Sequence, residues 1–391
     1  MNYLVSKRVS RILTPKRAAL LVLAATLVYV TLFRYAPSFL SSTGSIYAPS
    51  PEKVESPEEV GEEHVQHRDP LDKQEIKEQN EDTFVERVLN SDKAHEEVEQ
   101  VKKRPFKVDT DGVCPEIEDI PDLIGPLPQA LLLIQNLKEN EISAIHPELK
   151  LGGSWKPDDC KARYKIAVIV PFRDRQTHLT RLLAFLIPIL KRQRLDFRFI
   201  VTEQYGTDLF NKGRIMNAAF NYADSLGVDC VIFHDVDMFP QDDRTPYACP
   251  SQPRHLGAFV SNLGYQLWYK EIVGGVLAVS IGDYKTVNGY SNLYWAWGGE
   301  DDDMGKRILS LNYTIERPDP DVARYSMLKH VKRQRTAPKL IYKLLGNSEQ
   351  RIATDGLNQT SWNVRKVTIR PLYYHLYVDV GPVPDEWRAK A

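Results

Sequence analysis

The spacing of apolar residues changes several times along the chain, and each change predicts an element. Tyr164 to Phe172, YKIAVIVPF, is a continuous apolar run of the kind that forms a strand buried on both faces. In the QTHLTRLLAFLIPILKRQ that follows, Leu179, Leu182, Leu183, Leu186, Ile187 and Leu190 make one helical stripe, with Pro188 as a late kink. DFRFIVTEQ predicts a second strand, FNKGRIMNAAFNYADSLG a second helix closed by Gly227, and DCVIFHDVDMF a third strand. Strand, helix, strand, helix, strand predicts an α/β fold, a Rossmann-like nucleotide-binding half with helices on both faces of a parallel sheet.

The N-terminal region follows other rules. Ala18 to Phe33, AALLVLAATLVYVTLF, carries no charge and follows Lys7, Arg8, Arg11, Lys16 and Arg17. At helical rise it spans roughly 24 Å, short for a ~30 Å hydrocarbon core, with Arg17 and Arg34 able to snorkel at its ends. It is either a cleavable signal peptide or a short anchor. Its bulky end, YVTLFRYAPSF, lacks small cleavage-site residues and favours the anchor.

A basic flank ahead of the anchor places the N-terminus in the cytoplasm and the rest in the lumen, and a short span fits the thinner membranes of the early secretory pathway. The expectation is a single-pass type II protein of the Golgi membrane. Residues 1–17 form its cytoplasmic tail, 18–36 the signal anchor, 37–112 an acidic stem and 113–391 the lumenal catalytic domain. The stem is read from Ser41 to Lys107, which is rich in Glu, Lys, Gln, Pro and Ser and too poor in apolar residues to offset its ordering entropy.

Composition adds two constraints. All four cysteines, Cys114, Cys160, Cys230 and Cys249, lie in the folded part, and an even count in an oxidising compartment favours two disulfides; no Cys-x-x-Cys spacing points to zinc. The net charge of -1 gives no electrostatic footprint for nucleic acid. Asn312-Tyr-Thr and Asn358-Gln-Thr are glycosylation sequons usable in the lumen.

Candidate chemistry sits where such sheets bind ligands, outside the carboxyl ends of the strands. The first strand ends in PFRDR, putting Arg173 and Arg175 where a phosphate or uracil can sit; the third ends in HDVDMFP, with Asp235 and Asp237 alternating on one face. No P-loop or GxGxxG follows the first strand, so a bound diphosphate requires a metal. A D-x-D pair is either a solvated strand end or the Mn²⁺ site of a sugar-nucleotide transferase. WAWGGEDDD, Trp295 to Asp303, sets four carboxylates in a row, an arrangement that raises their pKa values and, taken alone, also describes a solvated loop.

PFRDR, FNKGRIMNAAF, HDVDMFP, SQPRH, GGVLAVS, NGYSNLYWAWGGEDDDMGKRI, RPD, YSMLKH, DGLN and YVDVG occur in the same order as in the animal β-1,4-galactosyltransferase family, glycosyltransferase family 7, which the chain resembles from Cys114 to Pro382. The resemblance implies a GT-A glycosyltransferase fold in a single catalytic domain. It implies Mn²⁺ held by Asp237, Met327 and His330, although spacing alone reads Met327 as core and His330 as surface. The UDP-sugar is expected to contact Pro171, Phe172, Arg173, Arg175, Phe210, Asp235 and Val236, and the disulfides to pair Cys114 with Cys160 and Cys230 with Cys249.

An α-linked donor and a β product require inversion, hence one general base and no enzyme nucleophile. Asp301 matches the family's base, with Glu300 and Asp302 orienting sugar hydroxyls. Asp303 is read as serving the start of the helix DMGKRILSL, where an acid offsets the dipole. Trp297 matches a tryptophan on a small mobile loop over the donor, with Gly298 and Gly299 supplying its freedom; Ala296 stands where the family commonly has Gly. A longer lid is expected from about Leu328 to Asn347, with Tyr342 and Leu345 either covering the acceptor or lying on an ordinary helix face.

Ile272 stands where vertebrate galactosyltransferases of the family have a Tyr that crowds the donor's 2-position. It either fills core or leaves room for an N-acetyl group, as in invertebrate β-1,4-N-acetylgalactosaminyltransferases. The expectation is transfer of GalNAc from UDP-GalNAc to the 4-hydroxyl of terminal β-linked GlcNAc on glycolipid or glycoprotein ends. The alternatives are a UDP-Gal transferase and, from another class, a non-catalytic sugar-binding protein with damage at Asp237, His330 or Asp301.

Overall fold

The computed structural model describes residues 111–129, 136–329 and 338–388. The expected tail, anchor and nearly all of the stem lie outside the described residues, as does His330. Among the described residues no helix is long and apolar enough to cross a membrane.

A short helix α1 (Glu139–Ile145) precedes β1 (Lys165–Phe172), α2 (Gln176–Arg192), β2 (Asp196–Gln204), α3 (Lys212–Ser225) and β3 (Cys230–His234). Then come β4 (Met238–Pro240), β5 (Arg254–His255), β6 (Phe259–Val260), β7 (Val276–Ser280), α4 (Ile281–Thr286), α5 (Glu300–Ser310), β8 (Arg324–Met327), α6 (Pro338–Gly346), α7 (Ser348–Arg351), β9 (Asn363–Ile369) and β10 (Tyr374–Asp379). The main sheet has the order β5-β7-β3-β1-β2-β10-β9, and β4-β8-β6 form a small second sheet.

The apolar run of β1 is buried on both faces because its residues alternate between two cores. Ile166, Val168 and Val170 pack in one cluster with Leu182, Leu183 and Leu186 of α2; Ala167 and Ile169 pack in the other with Ile215, Ala219 and Phe220 of α3. Each of the larger of these side chains, the Val, Leu, Ile and Phe, contributes ~1.5–3 kcal/mol when withdrawn from water. The whole predicted stripe of α2 is buried, and the helix runs through Pro188 to Arg192.

Two expectations need correction. The sheet is parallel only across β3, β1, β2 and β10, because β7, β5 and β9 add antiparallel at its flanks. The third strand does not run to Phe239. It stops at His234, where Asp235 N–H donates to Gly275 O (2.8 Å) and Met238 N–H to Asp235 O (3.2 Å), and the turn hands β4 to the second sheet. Asp235 and Asp237 therefore sit on a turn and not on one strand face.

Both disulfides, Cys114–Cys160 and Cys230–Cys249, are formed. The second ties the start of β3 to the loop that follows β4.

Candidate active site

The chain passes from β1 to β2 on one side and returns to β3 on the other, so β1 and β3 are parallel neighbours across a topological switch point. A crevice opens at such a point beyond the carboxyl ends, where no connection crosses. Pro171 and Phe172 at the end of β1 and Val236 just after β3 are buried at these carboxyl ends. Arg173 donates to Asp208 O (2.7 Å) and lies over the Phe210 ring, 4.9 Å from its centroid. One aromatic and one cationic group thus share a position suited to a base or phosphate.

The D-x-D turn divides its acids. Asp237 is buried and accepts a 2.8 Å bond from Arg175 Nη1, while its carbonyl accepts from Leu328 N–H (2.9 Å). Met327 is brought alongside by strand pairing, Met238 opposite Met327, and its sulfur accepts from Asn262 Nδ2 (3.0 Å). A carboxylate on the turn that leads into β4 and a thioether on the paired β8, with an imidazole three residues farther on outside the described residues, make a donor set fit for a borderline divalent ion. Among the described residues no three His, Cys, Asp or Glu side chains cluster as a metal site.

Asp235 faces the other way, toward the acidic run. Gly299, at φ 93°, caps α5, and the helix begins at Glu300, so all four carboxylates fall in its first turn. Free backbone N–H groups and the helix dipole favour negative charge there, which offsets part of the mutual repulsion. Lys212, at the start of α3, holds three of the acids at the crevice together: its Nζ lies 3.1 Å from Asp235, 3.5 Å from Glu300 and 3.3 Å from Asp301. Burial pushes the Asp301 carboxyl up to about 8, with Glu300, Asp235 and Asp302 adding repulsion and Lys212 opposing them. Asp302 accepts from Tyr269 Oη at 2.6 Å.

Asp303 lies in the first turn of α5, as expected of an acid serving the helix start, and has a second role as well. It is fully buried beneath the helix, bonded to Arg307 Nε (2.6 Å), Arg351 Nη2 (2.5 Å) and Tyr294 Oη (2.9 Å). Arg307 and Arg351 also pair with Asp355. This network fastens α7 to α5.

Ile272 is half-buried along the flank of α5. A Cβ on Gly305 would lie 1.9 Å from Glu271 O, and one on Gly274 would lie 3.1 Å from Asp301 Oδ2, so the Glu271–Gly274 segment runs against the helix beside Asp301. Arg317 fixes it from outside, donating to Lys270 O (2.7 Å) and Ile272 O (3.1 Å). Trp297 is 52% exposed. Ala296 has φ 66°, a conformation natural to Gly, and its N–H donates to Phe210 O (2.8 Å).

Gly298 and Gly299 meet α6. Side chains there would lie 3.4 Å and 2.9 Å from Ile341. Tyr342, 62% exposed, and half-buried Leu345 share this helix. Asn312 and Asn358 are exposed.

Lys212 and Tyr269 were not singled out from the sequence. One signal for Lys212 was available, since a cation in a helix's first turn opposes the dipole and needs another reason to be there. Tyr269 carries no comparable mark. A separate cleft of about 790 Å³ between Ile117, Arg254, Glu316 and Arg317 contains none of the expected site residues.

Residues 114–250 match the family described as the N-terminal region of glycosyl transferase group 7, and residues 254–331 match that described as the N-terminal domain of galactosyltransferase. Beta-1,4-galactosyltransferase 5 of Mus musculus is 39% identical over 270 residues, 69% of this chain and 69% of that protein. Beta-1,4-galactosyltransferase 1 of Mus musculus is 37% identical over 270 residues, 68% of this chain and 67% of that one. A solved mutant of Drosophila β1,4-galactosyltransferase 7, in complex with manganese, UDP-Gal and xylobiose, is 26% identical. It has a TM-score of 0.49, and the match covers 57% of this chain and 98% of that chain.

Proposed function

The chain belongs to the β-1,4-galactosyltransferase family of glycosyltransferase group 7, and on that premise we propose that it is an inverting transferase moving GalNAc from UDP-GalNAc to the 4-hydroxyl of a terminal β-linked GlcNAc. The observation that carries the chemistry is the raised Asp301 carboxyl, linked through Lys212 to Asp235 at the nucleotide end of the crevice. The acceptor oxygen attacks the anomeric carbon as the bond to UDP breaks, and Asp301 takes the hydroxyl proton. A base whose pKa lies near the working pH suits that step.

Arg173, Phe210, Pro171, Phe172 and Val236 hold the nucleotide. Asp237, Met327 and His330 are the residues that would bind Mn²⁺, which when bound neutralises the diphosphate and stabilises departing UDP. Trp297 covers the donor sugar, Glu300 and Asp302 orient hydroxyls, and Tyr342 and Leu345 on α6 close over the acceptor. Replacing Asp237 with Ala is expected to abolish Mn²⁺ binding, read by titration of the free ion, together with Mn²⁺-dependent transfer; unchanged binding removes the assignment.

The donor sugar rests on Ile272. A side chain shorter than Tyr and without a hydroxyl, beside the base, leaves room for the 2-N-acetyl group. Galactose from UDP-Gal is the second reading, favoured by the galactosyltransferase names of the relatives. Turnover of the two donors with a β-linked GlcNAc acceptor decides between them, and Ile272→Tyr is expected to move preference toward galactose. A wild-type enzyme that strongly prefers UDP-Gal overturns the GalNAc reading. In the cell the same reading places the enzyme in the Golgi membrane, with the catalytic domain in the lumen.

A further inference from the structure

We propose that Lys212 is a positioning residue of the transfer step: it favours the charged form of Asp301, aims that carboxylate into the crevice, and couples it to the nucleotide-side Asp235. The inference rests on the reading of Asp301 as the base. Its support is geometric.

Lys212 opens α3, where the helix dipole disfavours a cation, and only 15% of its side chain is exposed. A buried ammonium in that position needs anionic partners, and it has Asp235 from the β3–β4 turn and Glu300 and Asp301 from α5. The hydrogen bonds to Asp301 are to both carboxylate oxygens, at 3.4 and 3.3 Å, so the ammonium restrains the plane of the carboxylate as well as its charge.

Among the described residues, the other groups acting on the pair are acidic or neutral. Asp302 adds repulsion to Asp301, and Tyr290 faces both Lys212 and Asp301 with its hydroxyl held un-ionised by burial. Lys212 is the cation that sets a limit on how far the base is pushed up. Because the same ammonium reaches Asp235, a nucleotide that engages Asp235 alters the charge that the base experiences. Loading of the donor and readiness of the base are therefore linked through one side chain.

The experiment is the pH profile of kcat/KM for the wild type, Lys212→Met, Lys212→Arg and Asp301→Asn, with donor and a GlcNAc acceptor. Removing an opposite charge at this distance moves a carboxyl by about one to three units. Lys212→Met is therefore expected to shift the acid-side midpoint upward by at least about one unit, with the lost turnover returning only as pH rises through about 9 and beyond, while Lys212→Arg keeps the wild-type midpoint. Equal loss at every pH, or an unchanged profile, overturns the inference, since a merely structural lysine predicts one of those results. If the Met variant does not fold, Lys212→Gln, uncharged but still able to donate, is read by the same criteria. Asp301→Asn separates the two claims: activity retained in that variant defeats the base reading itself, whereas an inactive Asn variant beside an unshifted Met variant defeats only the role of Lys212.

Discussion

Asp301 and Ala296 each hold a conformation or charge state that the fold tolerates at some cost. The Asp301 carboxyl, at about 8 when folded and near 4 when unfolded, binds an extra proton in the native state across that window, so ionising it weakens folding as pH rises from 4 to 8. Asp301→Asn is expected to lower turnover by roughly 10²–10⁴-fold and to raise stability at pH 7 by about 1 kcal/mol, a melting shift of ~2–4 °C. Turnover and a thermal melt on the same sample check both halves. Ala296 sits at φ 66°, where a Cβ is strained by ~1 kcal/mol or more. Ala296→Gly is expected to leave the melting temperature unchanged or slightly higher while loosening the loop, measured as faster amide exchange at Trp297.

At the scale of elements, the buried network beneath α5 fastens the helix that carries the acidic run. Arg307 is fully buried between Asp303 and Asp355, and removing one partner of a buried pair costs about 3–5 kcal/mol. Arg307→Met is therefore expected to destabilise by that amount in urea unfolding, well beyond a surface substitution. The sequence made the elements legible wherever period decides: β1, α2, β2 and α3 were all readable, because a doubly buried strand and a one-faced helix leave opposite patterns. It misled at Asp235–Asp237, where apolar neighbours continue the strand pattern through a turn whose cause, the Gly275 carbonyl, lies far along the chain. It was incomplete at Asp303, since an acid of the first turn shows its buried partners only when Arg307 and Arg351 are seen to converge on it. The candidate site was legible mainly through its ordered motifs; Lys212 and Tyr269 emerged only when three separate segments were brought together.

For the whole molecule, acid sensitivity follows from two interior histidines. Burial holds His234 down at about 4 and His255 at about 3. Both stay neutral when folded while the unfolded chain takes up protons below about 6.5, so stability is lost as pH falls from 6.5 toward 4, by up to ~1.4 kcal/mol per unit for each. Asp301 has the opposite sign in that range. The Asp301→Asn variant is thus expected to show a steeper acid slope than the wild type, near two protons instead of one, in stability measured by denaturant between pH 4 and 6.5.

The approach of Ile341 to Gly298 and Gly299 has a consequence for engineering. The tryptophan loop and α6 pack against each other through Ile341, so a change in one alters the surface on which the other rests. A chimaera that imports α6 from a relative, with another residue at 341, changes what packs on the host's glycine pair. The two segments form one cassette and have to be transplanted together.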